Sequence, residues 1–467
     1  VNSGRLIGVL LGLSLAPAAA RADGFQVSPG LTLAESYDDD LAPGGSGPAS
    51  AFFTVASPTV ALGYAGQRFT LLAHGALDAE ALDKAPFRHT PFLRLASDAN
   101  LTWLATERLT LTANGTFWDT NTPRDVNVVT GFNPHGAQVA GSERAWSTSG
   151  EAGLSYAFSE RARGAIDGSI VTTTEGGLTI KEETARTSFH RQLGPTSGGR
   201  FDLLYRRIDF SGTSTISGGA SNAGVNIEAP MLGWDQRLSP RLTFEVLAGP
   251  RFDKRFIEGI EASASLVLQL QAVQVSASLA STQTSVAGFY GTVDTESASV
   301  TAMVRADEHL FLSATPAFYA SAGQPLHSKV FELRLQAERT LGENMALVAS
   351  YRISAQNATF ADAALNAGAS THNQVVLGIS FHSAGSHAVP FAWPMAGAWA
   401  GRAGSPPAPI EQQNTSEQTL GIPSTVGVPI PQTQSPPPGA PATNLPDPTQ
   451  PSQTDPPVPG TEGRRNP

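Results

Sequence analysis

Few residues in this chain have the types and spacing that chemistry needs. There is no cysteine among its 467 residues, which removes thiolate nucleophiles, thiolate metal ligands and disulfides together. Its nine histidines are scattered, with no His-Glu-x-x-His pair and no Gly-x-Ser-x-Gly elbow. His382 and His387, five apart, follow the last apolar run and carry no second ligand nearby in sequence. Asp38-Asp39-Asp40 is the densest carboxylate run, and hard oxygen ligands suit hard cations. Its spacing is not that of a calcium loop, and aspartate commonly opens turns, so a solvated turn is expected there. The residues therefore point to no enzyme, no catalytic set, no cofactor and no resident metal.

The informative polar residues are spread through alternating segments instead. Leu109, Leu111, Ala113 and Phe117 alternate with Thr110, Thr112, Asn114 and Thr116. Phe331, Leu333, Leu335 and Ala337 alternate with Glu332, Arg334, Gln336 and Glu338. Leu347, Ala349, Tyr351 and Ile353 do so with Ser350, Arg352 and Ser354, and Val375, Leu377, Ile379 and Phe381 with Gln374, Gly378 and Ser380. A period of two puts all the apolar members on one side of a strand, whereas a helix needs spacings of three and four.

These segments recur in windows of about 8–11 residues, which predicts an all-β fold of about 18 strands (16–18). Tight turns are expected at 64–67, 105–108, 159–161, 238–241, 307–309 and 341–344. Longer polar loops fall between them, at 38–50, 76–88, 119–144, 211–224, 281–292 and 355–371. Short turns alternating with long loops are the pattern of an outer-membrane barrel. No apolar run reaches the length of a membrane helix, and lipid leaves a spanning sheet only the option of closing on itself. The chain is thus predicted to be a closed antiparallel transmembrane β-barrel over 23–382. Trp103, Phe117, Trp118, Trp146, Tyr156, Phe158 and Tyr205 are expected as interfacial aromatics.

Two flanking regions differ. Residues 1–22 read as a signal peptide: Arg5, an apolar run from Leu6 to Ala18, then Ala20-Arg21-Ala22 as a cleavage site. Residues 383–467 read as a disordered periplasmic tail, because the last 67 residues hold 17 of the 34 prolines and only single apolar side chains.

Strand parity assigns a polar inner wall: Arg94, Asp98, Asn100, Glu151, Asp202, Arg206, Gln269, Gln274, Arg305, Glu332, Arg334, Glu338 and Arg352. Both signs are interleaved, which fits a neutral or mildly charged polar solute better than strong ion selection. The formal charge of −10 argues against a nucleic-acid partner. A barrel this wide can hold an aqueous channel. A general porin-like diffusion channel and a structural or adhesive surface barrel both fit that wall as well.

One stretch carries a family resemblance. Gly30-Leu31-Thr32-Leu33-Ala34-Glu35-Ser36-Tyr37-Asp38-Asp39-Asp40, followed by Ser57-Pro58-Thr59-Val60-Ala61-Leu62-Gly63-Tyr64, resembles the opening of outer-membrane β-barrel proteins associated with bacterial exopolysaccharide biosynthesis and export loci. Asp40 stands where that pattern often has Asn. The resemblance implies a conduit in the bacterial outer membrane that passes a finished polysaccharide, beside a periplasmic polysaccharide-export protein. The proline-rich tail has no counterpart in it.

Overall fold

A computed structural model describes residues 25–41, 49–82, 92–120, 127, 129–132, 144–214, 224–253, 256–323, 326–342, 344–360 and 369–382. The expected signal peptide and proline-rich tail lie outside them. The described residues form one antiparallel sheet of 18 strands and contain no helix.

The strands are β1 (Phe25–Leu41), β2 (Ala49–Ala65), β3 (Phe69–Leu82), β4 (Phe92–Leu104), β5 (Leu109–Thr120), β6 (Ala145–Ser159), β7 (Ala162–Glu175), β8 (Leu178–Gln192) and β9 (Ser197–Gly212). They continue as β10 (Val225–Ser239), β11 (Leu242–Asp253), β12 (Phe256–Gln269), β13 (Val273–Ser285), β14 (Thr292–Arg305), β15 (Leu310–Gly323), β16 (Leu326–Thr340), β17 (Met345–Phe360) and β18 (Ala369–His382).

Each strand pairs with its sequence neighbours, and β1 pairs with β18 from Gly30–His382 to Asp38–Gln374, closing the barrel. Closure satisfies the backbone without an edge, which is the condition for crossing lipid with strands. The even count puts the first and last strand ends on the side of the tight turns. Those turns include Gly66–Arg68, bridged by the Gly66 amide and the Phe69 carbonyl, and Asp307–His309, where Asp307 accepts from the His309 amide at 2.6 Å. That bond holds the exposed Asp307 carboxyl below the usual carboxylate range. Short turns mark this as the periplasmic end.

Parity divides the wall as period two requires. Leu33, Leu77, Leu95, Leu154, Ile166, Leu203, Leu232, Leu279, Phe331 and Leu377 are exposed on the outer surface, while their sequence neighbours turn inward and are more covered. An apolar belt on the outside of a closed barrel is a lipid-facing surface, and the chain is an outer-membrane protein.

Several expectations are corrected in detail. The strands run farther at the outer end than the loops at 38–50, 76–88 and 355–371 allowed: β1 reaches Leu41, β3 reaches Leu82 and β17 reaches Phe360. Polar residues such as Asp78 and Glu80 face inward there, so polarity marked a wall and not a loop. The outer side also contains a two-residue hairpin at Gly176–Gly177, so the short-long alternation is incomplete. Trp118 does not join the aromatic surface. It is 4% exposed and packs with Ala96 inside the barrel, because Phe117 and Trp118 are adjacent and cannot face the same way.

Candidate functional site

The thirteen residues assigned to the inner wall, Arg94 through Arg352, all fall on the inward side of their strands, in two settings. Asn100, Glu151, Gln269, Gln274, Arg305, Arg334 and Glu338 keep access to solvent, as does Asp98 in part. Arg94, Asp202, Arg206, Glu332 and Arg352 are buried.

The accessible members sit mostly toward the periplasmic end. On β4–β7 and β13–β16 they share the wall with hydroxyls and amides paired strand to strand. Thr116 meets Ser149 at 2.7 Å, and Ser278 meets Ser299 at 2.7 Å. Asn114 donates to Glu151 at 3.4 Å, and Ser313 to Gln336 at 3.2 Å. Such a surface offers many weak, exchangeable hydrogen bonds and no deep single site.

The buried charges are tied into clusters. Arg94 lies 2.5 Å from Glu80 and 3.5 Å from Asp78, which also accepts from Ser57 at 2.5 Å. Arg200, which the sequence reading did not single out, bridges Asp202 at 2.7 Å and Glu245 at 2.8 Å. Arg206 contacts Glu182 at 3.1 Å and Glu261 at 3.3 Å. It also donates to the Thr282 hydroxyl at 2.9 Å and the Gln283 carbonyl at 2.8 Å, three strands beyond its own neighbour β10. Glu332 holds Arg334 at 2.8 Å and Arg352 at 3.0 Å. Fork-shaped guanidinium groups suit this role, since each spans two or more acceptors.

Toward the outer end the inward side chains are buried nearly all the way round, including Asp78, Thr120, Glu175, Ile208, Arg251, Thr295, Ser328 and Gln356. Two inward-folded segments account for part of this. The strap between β13 and β14, Val286–Gly291, carries Phe289, which is stacked on Phe360 of β17 at 5.4 Å and 7°. Phe132, from the long segment between β5 and β6, meets both rings edge-on at 6.0 and 5.9 Å. Phe132, Val286, Val293 and Leu326 are wholly buried in this cluster. The Asn127 side-chain oxygen accepts from the Ala287 amide at 2.8 Å, across 160 residues of sequence. Gly131, at φ 61, lies against Tyr319, and an added Cβ would sit 2.7 Å from that ring. Only glycine combines this left-handed backbone with so close an approach.

The strap also reaches the other way. Tyr290 donates its hydroxyl to the Gly212 carbonyl, and Ser214 donates to the Gly288 carbonyl at 2.6 Å. Tyr290 packs on the inward apolar patch of Leu178, Ile180, Ile208, Phe210 and Ile227. No periodicity announces these contacts. The sequence signal available was Gly131-Phe132 within a polar loop and Gly288-Phe289-Tyr290-Gly291, aromatic residues where solvated loops have little use for them.

The residues that carry the family resemblance hold the seam of the barrel. Asp38 is buried against His372 of β18 at 2.7 Å, and Tyr37 packs on Phe52 at 4.9 Å. Asp38, Asp39 and His372 place donor atoms within 4.8 Å of one another. Asp39 is engaged by the Asn373 amide and side chain at 2.6 and 2.7 Å, which makes the group a clasp between first and last strands. The turn expected at Asp38-Asp39 is therefore strand; the side chain of Asp40 lies outside the described residues.

These features define a closed 18-stranded outer-membrane barrel with a polar inner wall and inward-folded segments at its outer end. No family model matches the chain, and no curated protein matches it. Among solved structures it is similar to the ferric enterobactin receptor PfeA of Pseudomonas aeruginosa, at 8% identity and TM-score 0.40, covering 76% of this chain and 80% of that one. The siderophore receptor PirA of the same organism gives 9% and 0.38 over 76% and 80%, and the iron transporter FrpB of Neisseria meningitidis 9% and 0.36 over 76% and 81%.

Proposed function

We propose that this barrel is a conduit that exports a polysaccharide across the outer membrane, working with a periplasmic polysaccharide-export protein. The observation that carries the reading is the inner wall of β4–β7 and β13–β16. Among the described residues, hydroxyl, amide and interleaved charged groups repeat there without a dominant sign. A polymer must be held weakly and repeatedly to slide, because one tight site would stall it. The segments Gly30–Asp40 and Ser57–Tyr64 support the same reading through their resemblance to exopolysaccharide-associated barrels. The tight turns and both strand termini face the periplasm, where an export partner would dock. An unregulated diffusion pore is less well supported, since the strap folds inward at the outer end onto Phe360 and the Gly212–Ser214 stretch.

The test is to delete the chain and quantify polysaccharide at the cell surface and in the periplasm. Loss from the surface with accumulation inside is expected. Unchanged surface polysaccharide would overturn the export reading.

A further inference from the structure

We infer that the β13–β14 strap is the outer gate of this barrel, held shut by Asn127 and Phe132. This is regulation of the proposed conduit, and rests on that reading only for the identity of what passes.

Each strand is fixed by a hydrogen-bonded ladder on both sides, so the wall cannot open without breaking the barrel. A loop end carries no such constraint. The strap Val286–Gly291 is anchored at its two ends in β13 and β14 and reaches several separate outer elements. The Ala287 amide is held by Asn127, the Gly288 carbonyl by Ser214, and Phe289 by the rings of Phe132 and Phe360. Tyr290 reaches the Gly212 carbonyl. The strap therefore joins the β5–β6 segment, the β9–β10 connection and β17.

These ties are separate from the strand ladders. Gly288 and Gly291 flank the Phe289-Tyr290 pair with φ of 80° and 96°, so the aromatic tip hangs between two residues free to change backbone state. Breaking the Asn127, Ser214 and Tyr290 bonds and uncovering the Phe289 cluster would free the strap while every strand stays paired. Below it, inward residues such as Asn100, Glu151, Gln274 and Arg334 keep partial access to solvent. Bistable loops over a rigid scaffold are a common basis for gating.

The experiment uses the purified full chain in planar lipid bilayers with potassium chloride on both sides, reading single-channel conductance and open probability. Phe289→Ala and Asn127→Ala should each raise open probability by about fivefold or more, the factor that loss of one buried contact allows. Because the chain has no cysteine, Asn127→Cys with Ala287→Cys gives a lock free of competing thiols. The reduced pair should open like Asn127→Ala, and the oxidised pair should stay shut until a reductant is added. Equal conductance of oxidised and reduced pairs would overturn the gate, as would wild-type open probability in correctly folded Phe289→Ala. Should Phe289→Ala fail to fold, the cysteine pair decides alone. Surface polysaccharide from cells carrying the lock separates the two ideas. A lock that closes the channel in bilayers but leaves surface polymer unchanged keeps the gate and removes the export reading.

Discussion

The outer mouth and the inner vestibule are made from the same strands with the same alternation, yet they solve different problems. At the periplasmic end, inward polar groups such as Asn100, Asn114 and Glu151 keep partial access to water and are only loosely paired. At the outer end, Arg94, Arg206, Arg251, Glu332 and Arg352 are shielded from it, and each sits within reach of opposite charge. A charge removed from water needs partners at close range, whereas a wet one does not. Polarity in a barrel wall is thus not one property. In one place it supports a path and in the other it locks the wall beneath a cover.

Charge removal gives the largest contrast between the two. Glu332→Ala should cost about 3–5 kcal/mol, because it takes the shared carboxylate from buried Arg352 and from Arg334. Denaturant unfolding in lipid vesicles measures it. Glu151→Ala should cost less than about 1 kcal/mol, since its Asn114 bond is long and solvent replaces it. Equal losses at the two sites would break the comparison.

The lipid face supplies a middle-sized effect that sharpens it. Leu377→Arg, on the exposed apolar belt, should destabilise by about 2–4 kcal/mol, while Ser350→Arg on the neighbouring strand faces inward and should be much milder. The same unfolding experiment reads both, and reversal of their order would mean that the two faces are exchanged.

The smallest effect lies at the periplasmic rim. Asp307 has its folded-state pKa lowered by the His309 amide, so what it contributes is present above its unfolded pKa and is lost as pH falls through the lower folded value. Asp307→Asn should remove that acid dependence at the β14–β15 turn, seen as faster amide exchange of His309 below the ordinary carboxylate range, with the vestibule unchanged.

Much of this architecture was legible in the chain. About eighteen alternating windows correspond to the 18 strands of the sheet, and parity alone put Arg94, Asp202, Glu332 and the other ten wall residues on the inward side. Alternation reports a face because successive Cβ atoms point to opposite sides, a purely local rule. It failed where polarity and loop look alike, as at Asp78 and Glu80, and where two aromatics stand side by side, as at Phe117-Trp118. The division of that wall into accessible and buried charge was not legible, since it depends on what stands opposite.

The sequence by itself determined an all-β outer-membrane barrel and its approximate strand number, because period-two patterning is written residue by residue. Tertiary structure alone decided that Arg206 reaches Thr282, that Asp38 clasps His372 across the seam, and that Asn127 and Phe132 close on Ala287 and Phe289. Those contacts join residues 76 to 334 positions apart, brought together only when the barrel closes and its loops fold inward. No local period encodes such a meeting.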